Sequence, residues 1–340
     1  MAAIGIQDCV YVPAPKRYTV EQVIAVERAR IAAGTRLDTN YDHVSTPSLD
    51  PASYRAAGYA SVPIASSERP LDLAVMAVEQ LLANNALPPA AVDALLYYDA
   101  IPWPEDTTIN MPSRLAELTG MMDLRYVAHV TQRNCASSIA AIEAAWYVMS
   151  ARPDIHRVIV AGGDCVATHC GEPRVVNHLI FGDAGSAVLL SREGGPIHYV
   201  ASRCIPQGGR RYREPLETLR TLAVKGVQWS LHEYERAFTQ TGFTADDMEF
   251  IVTNNPPLNR AMDRLTSYPR TKRTIIDDHV REYALTSAHI AIGCLMEVLR
   301  RGAKKPVALH ATGLGTTLCT MIFTPTRPMH YGHEKGTHHE

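Results

Sequence analysis

The chain has 340 residues and a formal net charge of -2 at pH 7, with 46% hydrophobic and 20% charged residues. That composition is typical of a globular enzyme, and the near-zero charge excludes the basic surface that nucleic-acid binding needs. The length suffices for two domains or for one large layered α/β body.

Apolar runs rich in β-branched residues alternate along the chain with helical patterns. The predicted helices cover 71–85, 113–120, 136–150 and 286–301, and the predicted strands cover 94–98, 157–161, 186–190 and 249–253. This alternation predicts an α/β protein.

A segment rich in Arg, Gly and Pro at 191–215 marks a seam between two halves. We therefore divide the chain into three parts, at 1–195, 196–330 and 331–340. Each half has a small-residue helix opened by a polar turn and, later, a glycine-punctuated strand, which favours an ancient duplication over chance similarity of two buried helices. The His-dense tail is compatible with metal binding, but a frayed terminus explains it more simply.

The N-terminus and the cysteines bear on cellular location and redox chemistry. MAAIGIQDCVYVP has no basic segment followed by an apolar one, and no stretch reaches the roughly 18 apolar residues of a membrane span. We therefore expect a cytoplasmic protein without membrane contact. Seven cysteines with no CxxC pair argue against a disulfide framework and a closed zinc site, so we expect no metal or bound cofactor.

Cys135 is the candidate nucleophile. It follows an extended segment, LRYVAHVTQR, and opens a helix dense in Ala, Ser and Ile. At a helix N-terminus, the dipole and unpaired N–H groups favour the thiolate form of a cysteine. The alternative is a buried, unreactive cysteine, which is the usual state of this residue type.

Five short sequence motifs, the first of which contains Cys135, are spread along the chain. NCASS, AGGDC, HLIFGDAGSAVLL, YALTSAHIAIG and HATGLGTTL follow one another in the order and approximate spacing found in ketoacyl-ACP synthase III enzymes, and the chain resembles that family from about residue 70 to 325. The resemblance implies a five-layer αβαβα thiolase fold built from two similar halves, a homodimer, and Cys135 as the acylated residue. It also implies an oxyanion hole formed by the backbone N–H groups of Cys135 and Leu314. Met111 matches a position that lines the partner subunit's acyl pocket in relatives, with ordinary interface packing as the alternative.

The sequence departs from this family at two positions. Family members use a His and an Asn to stabilise the enolate that forms when carbon dioxide leaves a malonyl donor. Here Asn255 stands at the place of the His, and Leu285 stands at the place of the Asn. An apolar Leu cannot donate a hydrogen bond to an enolate oxygen, so decarboxylative condensation is in doubt. Asn255 is then a substrate-binding candidate.

Transfer of the acyl group to a hydroxyl or amine requires a general base instead. His289, four residues beyond Leu285 on the same presumed helix face, is our candidate, with a structural histidine as the alternative. Asp99 matches an acidic active-site position of the related HMG-CoA synthases, so we expect it to orient His289, although it also suits a turn. Asp277 and Asp278 are weaker candidates for that task.

These residues predict an acyltransferase that loads Cys135 from an acyl thioester and passes the acyl group to a hydroxyl or amine acceptor. It resembles the ketosynthase III-like acyltransferases of antibiotic pathways. The donor is either coenzyme A or an acyl carrier protein. Arg174, Arg210 and Arg211 are candidates for contact with its phosphates, with a solvated surface as the default alternative for such residues. The alternatives are a decarboxylating C–C condensing enzyme and a non-catalytic partner subunit of the same fold.

Overall fold

The computed structural model describes residues 4–35, 49–100, 110–131, 133–165, 174–176, 179–206, 216–313 and 317–325, with the backbone alone at 176, 198–206 and 216–224. The helices are α1 Val20–Ala32, α2 Pro51–Ala56, α3 Pro70–Asn84, α4 Met111–Leu118, α5 Ser137–Ala151, α6 Leu216–Thr241, α7 Pro256–Leu265, α8 Ile275–Tyr283 and α9 His289–Arg301. Short 3₁₀ turns cover Pro89–Ala91, Asn134–Ala136 and Arg270–Lys272.

The strands are β1 Gly5–Pro13, β2 Lys16–Tyr18, β3 Val62–Ile64, β4 Ala94–Tyr98, β5 Tyr126–Val130, β6 Arg157–Asp164, β7 Val175–Val176, β8 Leu179–Ile180, β9 Ala184–Ser191, β10 Ile197–Pro206, β11 Phe250–Thr253, β12 Val307–Gly313 and β13 Thr317–Pro325. All the helices and strands predicted from the apolar patterns are present, with their ends shifted by a few residues.

Capping residues fix where several helices begin and end. The side-chain oxygen of Asn110 accepts a hydrogen bond from the Ser113 N–H at 3.2 Å at the start of α4, and Asn255 accepts one from the Leu258 N–H at 3.1 Å at the start of α7. These bonds satisfy N–H groups that the first helical turn leaves without partners. Helix α9 ends at Gly302, whose φ of 64° suits a residue without a Cβ.

Nine strands form one mixed sheet in the order β11-β12-β13-β10-β1-β9-β6-β4-β5. In the first half, β1 pairs with β9 and β9 with β6 in antiparallel fashion, while β6 pairs with β4 in parallel fashion. The second half repeats this pattern, because β10–β13 and β13–β12 are antiparallel and β12–β11 is parallel. The shared pairing order supports the duplication hypothesis, while the boundary at residue 195 stays a prediction.

The hydrophobic core explains the layers. One cluster includes residues of α5, α9, β4, β6, β12 and β13, so the two central helices lie between the two halves of the sheet. A second cluster joins α3 and α4 to the other face of the first half, and a third joins α6 and α7 to the other face of the second half. The order of layers is therefore helix, sheet, helix, sheet, helix.

The sequence predicted no membrane-spanning helix and no disulfide framework, and the structure bears on both predictions. Within the described ranges, no helix has the length and apolar character needed to cross a bilayer. Cys319 on β13 is disulfide-bonded, which is an exception to the expected absence of disulfides, and its register partner on β10 is Cys204.

Candidate active site

Cys135 lies where strand β5 leads into helix α5. The 3₁₀ turn Asn134–Ala136 connects the two, and Asn134 has a φ of +50°, an uncommon conformation that Asn tolerates better than most residues. Cys135 is half-buried, whereas Ser137 and Ser138 behind it are fully buried. Cys135 therefore lies in the turn that leads directly into a buried helix, close to the helix start that the sequence predicted.

The side chain of Asn254 holds the backbone of Cys135. Its Nδ2 donates hydrogen bonds to the carbonyl oxygens of Cys135 at 3.1 Å and of Thr312 at 3.2 Å, and its Oδ1 accepts one from the Thr312 N–H at 2.8 Å. The side-chain amide of Asn254, at the end of β11, thus joins the turn that contains Cys135 to the end of β12. Sequence reasoning missed Asn254, although the Asn-Asn pair after the strand FIVT is visible in the sequence.

Gly313, the last residue of β12, allows a close approach to the same turn. A Cβ built on Gly313 would lie 2.3 Å from the carbonyl oxygen of Arg133 and 3.3 Å from the Cβ of Asn134. Only glycine fits there without a shift of backbone. Leu314, predicted to donate the second oxyanion-hole N–H, lies outside the described residues.

Both polar atoms of the Asn255 side chain have protein partners, and its role in substrate binding stays a prediction. Its Oδ1 caps helix α7 through Leu258, and its Nδ2 donates to the Thr312 hydroxyl at 3.0 Å. Leu285 is buried, and its backbone bonds to Ile180 and Gly182. The two positions that bind the enolate in the family are therefore occupied by a helix cap and by an apolar core residue.

His289, the predicted base, is the first residue of α9 and has no exposed surface. Its Nδ1 lies 2.8 Å from the Ser186 hydroxyl and 3.2 Å from the Tyr98 hydroxyl, which also bond to each other. Its Nε2 lies 3.1 Å from a carboxylate oxygen of Asp164, although the two atoms are not aligned as a hydrogen bond. Both ring nitrogens thus face protein groups.

This geometry favours a positioning role for His289 over direct proton abstraction from an acceptor. The imidazole ties the start of α9 to β4, β6 and β9 through Tyr98, Asp164 and Ser186. Two residues near the start of α9, Ala284 and Ser287, have φ values of 57° and 48°, so the chain enters this helix in a strained conformation.

A hydrogen bond connects the starts of the two central helices. The hydroxyl of Ser138, in the first turn of α5, donates to the carbonyl oxygen of Ala288, next to His289, at 2.6 Å. This bond joins the helix that follows Cys135 to the helix that begins at His289.

Asp99 bonds to a different histidine from the one predicted. Its Oδ2 lies 2.7 Å from Nε2 of His129 on β5, and its Oδ1 accepts a short hydrogen bond from the Thr131 hydroxyl. The carboxylate that faces His289 is Asp164, at the end of β6, whose other oxygen accepts the Ala100 N–H at 3.0 Å. The prediction that Asp99 orients His289 is therefore corrected, because β4 turns Asp99 towards its neighbour β5.

Other candidates also have structural partners. Met111 is 4% exposed and packs inside the second hydrophobic cluster of its own chain, so little of it is left to line a partner's pocket.

Arg174 is buried and forms an ion pair with Asp183 at 3.1 Å, which corrects the expectation that it contacts donor phosphates. Asp277 pairs with Arg270, in the 3₁₀ turn before α8, and Asp278 pairs with Arg301, the last residue of α9, so neither carboxylate has His289 as its partner. Arg210 and Arg211 lie outside the described residues.

The comparison with solved structures identifies the fold. No protein-family model matches the sequence, and neither does any curated protein sequence. Among solved structures, ChlB3, named as an acyltransferase, matches with a TM-score of 0.74 and 19% identity over 96% of this chain and 98% of that one.

OleA from Xanthomonas campestris, as a variant, matches with a TM-score of 0.74 and 14% identity over 95% of this chain and 96% of that one. Its cerulenin-bound form has the same TM-score and identity, over 95% of this chain and 97% of that one. The chain therefore has the fold of these proteins, a thiolase fold, and the predicted fold class is confirmed.

Proposed function

We propose that the protein is an acyltransferase that carries an acyl group on Cys135 and passes it to a hydroxyl or amine of a small-molecule acceptor. The observation that carries this proposal is that Cys135 is half-buried in the turn that leads into α5, where Asn254 holds its backbone carbonyl and Gly313 closely approaches the carbonyl of Arg133. Reactive cysteines in proteins occupy this kind of partly exposed helix N-terminus.

The reaction has two balanced steps. The Cys135 thiolate attacks the carbonyl carbon of a donor thioester, the donor's C–S bond breaks, and the donor leaves as a thiol after taking up a proton. An acceptor oxygen or nitrogen then attacks the acyl-enzyme, loses its proton to a base, and releases Cys135 as thiolate. N–H donors at a helix start stabilise the oxyanion in both steps.

The environment of Cys135 disfavours the decarboxylating alternative. That reaction needs two polar groups that bind an enolate oxygen as carbon dioxide leaves. In this chain Asn255 caps a helix, Leu285 is apolar, and His289 is enclosed by Ser186, Tyr98 and Asp164. Transfer to a hydroxyl or amine makes no such demand.

We propose a late-stage natural-product scaffold as the acceptor and either acyl-CoA or an acyl carrier protein as the donor. The likeness to ChlB3, named as an acyltransferase, supports acyl transfer as the reaction type.

We also propose that the protein is a homodimer. Strand β5 is the terminal strand of the nine-stranded sheet, and an unpaired edge is a template for pairing with a second chain. Apolar side chains on or beside it are exposed, namely Val127 at 38%, Leu118 at 42% and Met122 at 70%. Light scattering coupled to size-exclusion chromatography tests this, and a monomer at micromolar concentration contradicts it.

The experiment that tests the acyltransferase proposal is a donor panel followed by an acceptor chase. Intact protein is incubated with acyl-CoA and acyl-carrier-protein thioesters, its mass is measured, and amines and alcohols are then added. Loading followed by loss of the added mass to an acceptor supports the proposal. Release of carbon dioxide from a malonyl donor favours condensation, and no loading in the whole panel favours a non-catalytic partner subunit.

A further inference from the structure

The two central helices are entered through the same uncommon backbone conformation. In the nucleophile turn, the 3₁₀ turn Asn134–Ala136 that leads into α5, Asn134 has a φ of 50°. Just before α9, Ser287 has a φ of 48°, and Ala284, where the chain leaves α8, has a φ of 57°. Residues other than glycine hold such conformations only where their surroundings enforce them. Neighbouring groups must therefore hold both helix entrances in place.

A buried hydrogen bond joins these two entrances. The hydroxyl of Ser138, three residues after Cys135 and without exposed surface, donates to the carbonyl oxygen of Ala288 at 2.6 Å. Ala288 stands between the strained Ser287 and His289. The amide that holds the Cys135 carbonyl, at the end of β11, also belongs to the second half of the chain. The start of α5 is thus held by groups that the second half supplies.

The ring of His289 fixes the entrance to α9 against the sheet of the first half. Its Nδ1 lies 2.8 Å from the Ser186 hydroxyl on β9 and 3.2 Å from the Tyr98 hydroxyl on β4. Its Nε2 faces a carboxylate oxygen of Asp164 on β6 at 3.1 Å. Because three strands hold this ring, the carbonyl group of the preceding residue, Ala288, has a fixed place as well.

The cluster around His289 resists displacement because all of its polar groups are buried. Ser186 and His289 have no exposed surface, and Asp164 is 3% exposed. Burial raises the pKa of Tyr98, so its hydroxyl keeps its proton and stays a hydrogen-bond donor. A shift of the helix start would leave these groups without partners and away from water, which costs free energy. The entrance to α9 therefore has one strongly preferred position.

We infer that His289 and Ser138 are positioning residues for Cys135. His289 fixes the carbonyl group of Ala288 against the sheet, and this carbonyl holds the hydroxyl of Ser138 in the first turn of α5. The inference rests on the proposed function, because it explains how the acyl-carrying residue is kept in its reactive position. The second half of the chain thus controls the reactivity of a nucleophile that the first half supplies.

The test measures the reactivity of Cys135 in the full-length protein with iodoacetamide, which alkylates a thiolate and needs no acyl donor. The rate is followed on the peptide that contains Cys135, with Cys135→Ala as the blank. We expect Ser138→Ala and His289→Ala each to slow alkylation by about 10-fold, because a displaced turn loses the N–H groups and dipole of α5 that favour the thiolate. Loading by the panel of acyl thioesters should slow at least as much.

The path through Ala288 predicts that the two substitutions are not independent. In the double variant, His289→Ala should add less than about 2-fold to the effect of Ser138→Ala, whereas independent effects would multiply to about 100-fold. His289→Asn keeps an amide for the Ser186 hydroxyl and should recover most of the native rate. Ser186→Ala, which removes one partner of the ring, replaces His289→Ala in the same cycle if that variant does not fold.

Thr119→Ala is the matched control for a general loss of stability. The Thr119 hydroxyl is buried and donates to the carbonyl oxygen of Leu115 at 2.7 Å, at the end of the outer helix α4. Its removal deletes the same kind of bond, a buried hydroxyl to a backbone carbonyl, in another layer. Urea unfolding is measured for every variant, and Thr119→Ala should be alkylated at the native rate.

The outcomes separate this inference from the acyltransferase proposal. Native alkylation of both Ser138→Ala and His289→Ala overturns the inference and leaves the proposed function standing. Independent effects in the double variant, or equal slowing by Thr119→Ala, also overturn it, because the path through Ala288 then carries nothing specific. If alkylation follows the expected pattern but no acyl thioester loads wild-type Cys135, the inference stands and the proposed function fails.

Discussion

Replacing Gly313 with Ala tests whether the close approach of β12 to the nucleophile turn controls the reactivity of Cys135. The added Cβ would lie 2.3 Å from the carbonyl oxygen of Arg133, and contacts of a real Cβ essentially never fall below 3.0 Å. The two backbones must therefore separate by about 0.7 Å, the difference between those distances, before the methyl group fits. Neither neighbour is a flexible side-chain tip that could move aside cheaply.

The size of the effect follows from that separation. A misplacement of about 1 Å near reacting groups costs up to about 100-fold in rate. Overpacking of this kind destabilises a protein by about 1–3 kcal/mol. We therefore expect Gly313→Ala to slow acylation of Cys135 by about 10- to 100-fold, with a smaller free energy of unfolding.

The assay measures the initial rate of Cys135 acylation by intact mass, together with the free energy of unfolding in urea. Gly226→Ala is the matched control, because a Cβ on this α6 glycine meets no atom within 4 Å. It should load at the native rate and be as stable as wild type or more stable by up to about 1 kcal/mol. Native loading and native stability of Gly313→Ala would refute the idea that this approach constrains the turn.

Three other changes probe the surroundings of the site. Asn254→Ala leaves the backbone groups it joins without partners, so we expect a loss of about 1–3 kcal/mol in urea unfolding and slower loading of Cys135; unchanged values in both would contradict the clamp. Asp164→Ala removes the buried carboxylate that faces an enclosed imidazole and should cost about 3–5 kcal/mol, whereas a neutral result would show that the pair contributes nothing. Because burial lowers the pKa of His279 and His310 to about 3, the folded protein keeps them neutral. Stability present above pH 6.5 should fall as the pH drops towards 3, by up to about 2 kcal/mol per histidine at pH 5, and melts that do not change between pH 7.5 and 5 would exclude this.

The helix and strand pattern was readable from the sequence because both central helices and the buried strands are long and strongly patterned. The position of Cys135 was readable for the same reason, since a polar turn precedes a run of small buried residues that only a helix start explains. Local sequence carries this information without any long-range contact.

The partners of the site residues were not readable in the same way. Asp99 follows the apolar strand β4 and Asp164 ends the apolar strand β6. Which histidine each one faces depends on strand order, with β4 between β5 and β6. Sequence shows neither that order nor the burial of His289 beneath Ser186 and Tyr98. The role of Asn254 was hidden for a related reason, because its partners lie on β12 and in the turn at Cys135, far away in the chain.

The most direct measurement is peptide mapping of the protein after incubation with acyl thioesters, with Cys135→Ala as the control. We predict that a single acyl group is recovered on the peptide that contains Cys135, that it is labile to an added amine or alcohol, and that the variant acquires none. Acylation at another cysteine, or equal acylation of the variant, would contradict the assignment of Cys135 as the residue that carries the acyl group.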